Sequence, residues 1–353
     1  LDWVDGLDRS QIGGRWYDND VNKHDANLFA RANWQVTDGL RLFGDLQYRY
    51  VSYRTWGVND NFVSEEAGMQ PIDVDKQYHF FNPRAGVSYT LAERSNFYLS
   101  FAIAQKEPTR SDFTDRYKFA ADDSYPSSEK LYDWELGYAY TAPRLSLGVN
   151  LYYMKYKDQL VPTGMVNDGD DALNVNVPDS YRRGVELSAS WRATGWFTVG
   201  ANATFAQNRI ENYMDALKDS PTYGKKLGDR AIAYSPDVIA NAFLDFHYRG
   251  FEAVLHTQYV GKQYFTNNEN DALSLDAYCV TNLNLSYTFR TRAARSVRLG
   301  LLVNNLFNAE YESNGYGYSY MDTWSGPAPV RIDEAFYFPQ APLNVLANVT
   351  VRF

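Results

Sequence analysis

Apolar and polar residues alternate one for one along most of this chain, most cleanly in its last eleven residues. From Leu343 to Phe353 the odd positions are Leu, Val, Ala, Val, Val and Phe, and the even positions are Asn, Leu, Asn, Thr and Arg. A period of two belongs to a strand with one apolar and one polar face. The same period recurs upstream. Leu40, Leu42, Leu46, Tyr48 and Tyr50 share one face, and Arg41, Asp45, Gln47 and Arg49 the other. Tyr132, Trp134, Leu136, Tyr138 and Tyr140 alternate with Asp133, Glu135 and Gly137. Val185, Leu187, Ala189 and Trp191 alternate with Glu186, Ser188, Ser190 and Arg192. Further segments lie near 27–36, 83–91, 96–104, 145–153, 197–205, 237–248, 251–265, 282–289 and 297–303, so the pattern predicts about thirteen strands.

The polar face carries charges and amides throughout. A soluble sandwich or small barrel fills its interior with apolar side chains. Here the polar face has to line water or a polar plug, and the apolar face has to meet lipid. The predicted fold is therefore all-β, an antiparallel transmembrane β-barrel, with a soluble solenoid or sandwich as the competing architecture. Composition agrees. The chain has 29 Tyr and 20 Phe with 45% hydrophobic residues, and Tyr and Trp at strand ends fit aromatic girdles. No apolar run of 18 or more residues is present, so no transmembrane helix is expected. The net charge of −9 argues against nucleic acid as a partner, and one cysteine, Cys279, rules out an intrachain disulfide framework or a Cys-based metal site.

Connections alternate in length. Tight turns such as Thr37–Gly39, Ala92–Ser95 and Arg249–Gly250 are expected between long loops over 57–75, 106–128, 157–178, 210–230, 266–275 and 312–338. Short turns are periplasmic and long loops external in such barrels, which puts Phe353 on the periplasmic side. Counting back, the first strand starts outside and the count is odd. That implies strands before Leu1, with residues 1–353 forming the C-terminal portion of a larger barrel. A complete barrel of about fourteen strands, one hidden in residues 1–20, is the competing reading.

Several segments resemble TonB-dependent outer-membrane receptors. These are Lys106-Glu107-Pro108-Thr109-Arg110-Ser111-Asp112-Phe113, Glu129 to Tyr138, the flanks Tyr156 to Val161 and Pro178 to Leu187, Val303-Asn304-Asn305-Leu306-Phe307-Asn308, and the terminal Val349 to Phe353. The resemblance spans roughly 76–353. It implies a barrel of about 22 strands around a plug domain, with a TonB box, of which plug, box and first strands are absent here. It further implies energy-coupled uptake of a large, scarce nutrient across the outer membrane of a Gram-negative bacterium. A ferric siderophore or other iron complex is the first expectation, with cobalamin or haem as alternatives. The implied partners are outer-membrane lipid, the TonB complex through the missing N-terminal part, and the small-molecule nutrient. A passive channel and a surface-docking barrel that binds a lipoprotein are the competing functions.

Candidate chemistry lies in the expected external loops. Gly315-Tyr316-Gly317-Tyr318-Ser319-Tyr320 and Trp324 would put aromatic rings on glycine-flexed backbone, suited to stacking on a flat ligand. Arg110 and Tyr117 would add a cationic, aromatic mouth for an anionic chelate. Asp168, Asp170 and Asp171 flank Gly169 in a cluster that offers oxygen ligands to calcium, although the twelve-residue calcium loop is absent and an acidic turn is the plainer reading. His247 and His256, with Asp245, are expected on paired strands facing the lumen. No catalytic motif is visible, no cofactor is required, and no enzymatic activity is expected.

Overall fold

A computed structural model describes residues 18–64, 68–114, 125–166 and 172–353. The strands are β1 (Asp18–Gln35), β2 (Leu40–Ser64), β3 (Gly68–Ala92), β4 (Ser95–Lys106), β5 (Glu129–Thr141), β6 (Leu145–Val166), β7 (Ala172–Arg192), β8 (Phe197–Ile210) and β9 (Arg230–Ala231). They continue as β10 (Val238–Tyr248), β11 (Phe251–Val260), β12 (Gln263–Tyr264), β13 (Ser274–Leu275), β14 (Tyr278–Phe289), β15 (Ser296–Asn304), β16 (Glu312–Asp322), β17 (Val330–Pro339) and β18 (Asn344–Arg352). One short helix, α1 (Arg110–Thr114), follows β4.

Thirteen strands pair in the order β1-β2-β3-β4-β5-β6-β7-β8-β10-β11-β14-β15-β18, every pair antiparallel. These are the thirteen segments that the alternation predicts. Among the described residues β1 and β18 do not pair with each other, so the sheet is an open arc.

The alternation fixes which face is which. Leu136, Leu151, Leu187 and Phe205 stand on the outer face and are exposed, at 47, 44, 40 and 50%. Exposure on that scale, repeated strand after strand, fits a surface covered by acyl chains. The intervening residues line the concave face with polar groups. Tyr98 donates to Asn150, which in turn donates to Glu186. Inward glycines let aromatic rings lie flat on the wall. A Cβ at Gly137 would sit 2.0 Å from the ring of Tyr98, its cross-strand partner.

An outward aromatic belt marks the external boundary of the apolar band. Phe101, Trp134, Tyr132, Tyr153 and Tyr181 run across β4 to β7 with neighbouring ring centroids 5.0 to 6.4 Å apart. The dry cores lie on the external side. Tyr53, Ile72, Val74 and Phe113 form one, Val161, Val177, Ile210, Tyr213 and Ile232 a second, and Phe265, Leu273 and Leu275 a third.

Two expected loops prove to be strand. β2 and β3, 25 residues each, carry the ladder through much of 57–75, and β6 and β7 through most of 157–178. Beyond the bilayer the outer face of β2 has no lipid to meet and carries Ser52 and Arg54 before Trp56 and Val58. The inner face instead becomes dry, with Val51, Tyr53 and Thr55 at 0, 7 and 0% exposure, because α1 and its flanks fold onto it. The backbone keeps its period while the inner face changes from polar to dry, so the two-solvent pattern ends before the strand does.

The expected loop 312–338 is likewise a hairpin, β16–β17, inserted between β15 and β18. The loop 266–275 contributes β13 to a small sheet with β12.

Candidate ligand site on the external hairpin

The hairpin is built by strict alternation of small and aromatic residues. Gly315, Gly317 and Ser319 face one side, Tyr316, Tyr318 and Tyr320 the other. On the small side the hairpin docks against Phe265 and Leu273. A Cβ at Gly315 would come 2.7 Å from Phe265, and one at Gly317 2.9 Å from Leu273. Neither glycine has a positive φ. This corrects the expectation of glycine-flexed backbone, since both residues sit in a regular strand and are small to allow close approach. Arg331 and Ser319 both donate to Asp333 on this side, which ties the two strands together.

The aromatic side is a continuous row. Tyr316 lies opposite Phe336 and stacks on it at 4.9 Å, and Phe338 follows at 6.2 Å from Tyr316. Tyr318 is 6.2 Å from Phe336 and 6.5 Å from Tyr320, and Tyr320 is parallel to Trp324, with 2° between the planes. Trp324, 73% exposed, is held at the tip by Asp322, whose Oδ1 accepts from the backbone of Trp324 and Ser325, each at 3.0 Å. Hydrogen bonds from Ser325, side chain first, hold the Asp322 carboxyl below its ordinary value. Glu334 sits within the row and accepts from the hydroxyls of Tyr318 at 2.7 Å and Tyr320 at 3.3 Å. Partial loss of water, then the Glu334 charge, push the Tyr320 phenol up, so it stays a neutral donor. The row can stack on a planar ligand and offer it a carboxylate.

The four aromatic residues singled out in sequence, Tyr316, Tyr318, Tyr320 and Trp324, thus share one face. Glu334, Phe336 and Phe338 belong with them and were missed. Their signal was the alternation in Val330–Pro339, which places every second residue of β17 beside the tyrosines.

Arg110 is elsewhere. It lies in α1 and its Nη2 donates to Asn19 on β1 at 2.7 Å. The segment around it is a clasp. Glu107 accepts from Lys23 and Arg49, each at 2.8 Å, and Arg49 also binds Asp25. Burial alone would raise the Glu107 carboxyl, but the hydrogen bonds from Lys23 and Arg49 outweigh it and bring the group below the usual glutamate range. Asp112 accepts from the Thr109 backbone at 2.7 Å and from Asn174 at 2.8 Å, and Phe113 packs on Tyr53.

Tyr117, Asp168, Asp170 and Asp171 lie outside the described residues. His247 and His256 are not brought together. His256 pairs with Phe243 and His247 with Glu252, four positions apart along the ladder. Among the described residues no cluster of three or more His, Cys, Asp or Glu is placed to hold a metal.

An antiparallel sheet with a lipid-type outer face, a polar inner face and external loop cores defines an outer-membrane β-barrel protein. Residues 2–306 match the family model described as TonB dependent receptor-like, beta-barrel, and the chain belongs to that family. Its place is the outer membrane of a Gram-negative bacterium. Among curated relatives, the pesticin receptor of Yersinia enterocolitica is 26% identical over 190 residues, which is 54% of this chain and 26% of the relative. Among solved structures, the ferric yersiniabactin uptake receptor FyuA from Yersinia pestis superposes with a TM-score of 0.68 at 18% identity, covering 95% of this chain and 46% of that one. The ferric-catecholate import receptor Fiu from E. coli K12, in its closed form, gives 0.65 at 18% identity, covering 95% and 45%. The chain therefore spans less than half the length of these relatives, and at such identities the structures establish the fold alone.

Proposed function

We propose that this barrel serves energy-coupled import of a scarce iron complex, most directly a ferric siderophore, gathered from outside by the β16–β17 hairpin. The aromatic row from Phe338 to Trp324, with Glu334 set among the tyrosines, is the observation that carries this reading. Rigid aromatic side chains bind planar groups at low entropic cost, and the glycine-seated hairpin holds them in register. FyuA is a ferric yersiniabactin uptake receptor and Fiu a ferric-catecholate import receptor, which supports the same reading. Coupling to TonB is part of the same proposal, because passive flow is a poor route for a large and dilute solute. Arg110 is engaged with Asn19, which favours stacking over charge attraction as the main source of affinity.

The test is ligand titration of the intact receptor, following Trp fluorescence and calorimetric heat, with a ferric phenolate siderophore, haem and cobalamin in parallel. The proposal expects saturable binding of the ferric siderophore. In the Tyr316→Ala/Tyr318→Ala/Trp324→Ala variant its affinity should fall at least tenfold while the barrel stays folded. Preferential binding of haem or cobalamin would replace the substrate, and unchanged affinity in the variant would remove the hairpin from the site.

A further inference from the structure

The face of the β16–β17 hairpin that carries the aromatic row also carries acids and no base. Between Glu312 and Pro339 the chain has four carboxylates, Glu312, Asp322, Asp333 and Glu334, and one base, Arg331. Arg331 is committed to the other side, where its Nε donates to Asp333 at 2.8 Å and its Nη2 to Ser319 at 3.1 Å. Glu334 and Asp322 share the register of Tyr316, Tyr318 and Tyr320. Glu334 is half-buried, and among the described residues no Lys, Arg or His lies within ion-pairing distance of it. Burying part of a carboxylate without a cation costs free energy that hydroxyl donors offset only in part.

Hydrogen-bond polarity narrows what can settle there. Tyr318 and Tyr320 give their hydroxyl protons to Glu334, at 2.7 and 3.3 Å, one to each carboxylate oxygen. With those protons committed, the carboxylate and the two phenol oxygens at the centre of the row can only accept. A carboxylate offers about four acceptor positions, so Glu334 has room for further donors. The rings add the same sign. Tyr318 lies 6.2 Å from Phe336 and 6.5 Å from Tyr320, and Tyr320 lies 6.0 Å from Trp324. An aromatic face is the negative part of a quadrupole and attracts a cation within about 6 Å. An anionic group would meet ring faces and carboxylates with no donor at that centre to hold it. A protonated nitrogen would meet acceptors instead.

We infer that the hairpin recognises a protonated amine or guanidine on the imported chelate, with Glu334 as the residue that selects it. The cationic group lies between Glu334 and the rings of Tyr318, Tyr320 and Phe336 and donates its N–H groups to the carboxylate. A chelate whose outer surface is wholly anionic is turned away by the same carboxylates. The inference rests on the hairpin being the ligand site, and it adds the charge that the ligand presents there.

Fluorine NMR of the intact receptor, labelled with 5-fluorotryptophan, reads the site without any iron complex, the Trp324 resonance being the one lost in Trp324→Phe. At constant ionic strength, methylguanidinium chloride should shift that resonance saturably, and sodium acetate should not. Glu334→Gln should weaken the response about tenfold, as loss of a charge-assisted hydrogen bond implies, and Glu334→Asp should keep part of it. Unmoved resonances of the other tryptophans show that each variant is folded. A second arm compares a linear ferric trihydroxamate ending in a primary ammonium with the same chelate acetylated at that nitrogen. The ammonium form should bind about tenfold tighter, and Glu334→Gln should erase the difference. No saturable shift with methylguanidinium, an undiminished shift in the folded Glu334→Gln variant, or equal measurable affinity for the two chelates would overturn the inference. A Glu334-dependent cation shift with neither chelate bound would uphold it and count against the iron-chelate reading alone.

Discussion

Glu107 shows how much one buried carboxylate can organise. It gathers Lys23 and Arg49 across β1, β2 and the segment leading into α1. Its folded-state pKa lies below the ordinary value of 4.5, so its contribution to stability is present above that value and lost as pH falls through the lowered one. Hydrogen exchange across residues 107–114 should therefore rise as pH drops from about 5 to about 3, after correction for intrinsic exchange, and Glu107→Gln should raise it at neutral pH and remove the acid dependence. An unaltered profile in the variant would show that the clasp does not depend on this charge. Arg110 teaches the complementary lesson. A guanidinium in an expected loop reads as ligand-facing until Asn19, 91 positions away, is placed beside it. Long-range partners of this kind leave no local signature.

At the scale of elements, what was legible and what was not divide along the bilayer boundary. All thirteen strands of the main sheet were readable because lipid on one side and water on the other impose the same code on each of them. The protruding parts of β2, β3, β6 and β7 look like loops in sequence because that code ends where the lipid does, and the ladder then continues under packing by loops. The β16–β17 hairpin hid for a related reason. Its glycines look like flexible punctuation, yet Gly315 and Gly317 serve to seat the strand on Phe265 and Leu273. Gly317→Val should accordingly lift the hairpin off β12–β13. We predict faster exchange of the amides in β16 and β17, and weaker ligand binding, with the main sheet unaffected. Unchanged exchange would show that close approach at Gly317 does not hold the hairpin.

For the whole molecule, the account rests on two solvents meeting one sheet. A soluble protein of this composition would bury Leu136, Leu151 and Leu187 and expose the residues between them. Here the outward leucines are open, and the dry clusters form where external segments fold back on the extended strands. Leu187 lies on β7 between Tyr181 of the external aromatic belt and Trp191, close to the bilayer midplane. Leu187→Arg should then cost about 2–4 kcal/mol in a bilayer folding titration, whereas Ser188→Arg, one residue on and facing the bore, should cost less than about 1 kcal/mol. Equal costs would reject the facing assignment.

The most direct measurement is a nitroxide scan along β7, after Cys279→Ser, with single cysteines placed in turn from Gly184 to Trp191 in the bilayer-reconstituted receptor. Collision with oxygen, which concentrates in lipid, and with a water-soluble nickel chelate should alternate with a period of two. Positions 185, 187, 189 and 191 should be oxygen-accessible, and 184, 186, 188 and 190 nickel-accessible. Uniform accessibility, or alternation in the opposite phase, would contradict the assignment of lipid and lumen faces on which the function rests.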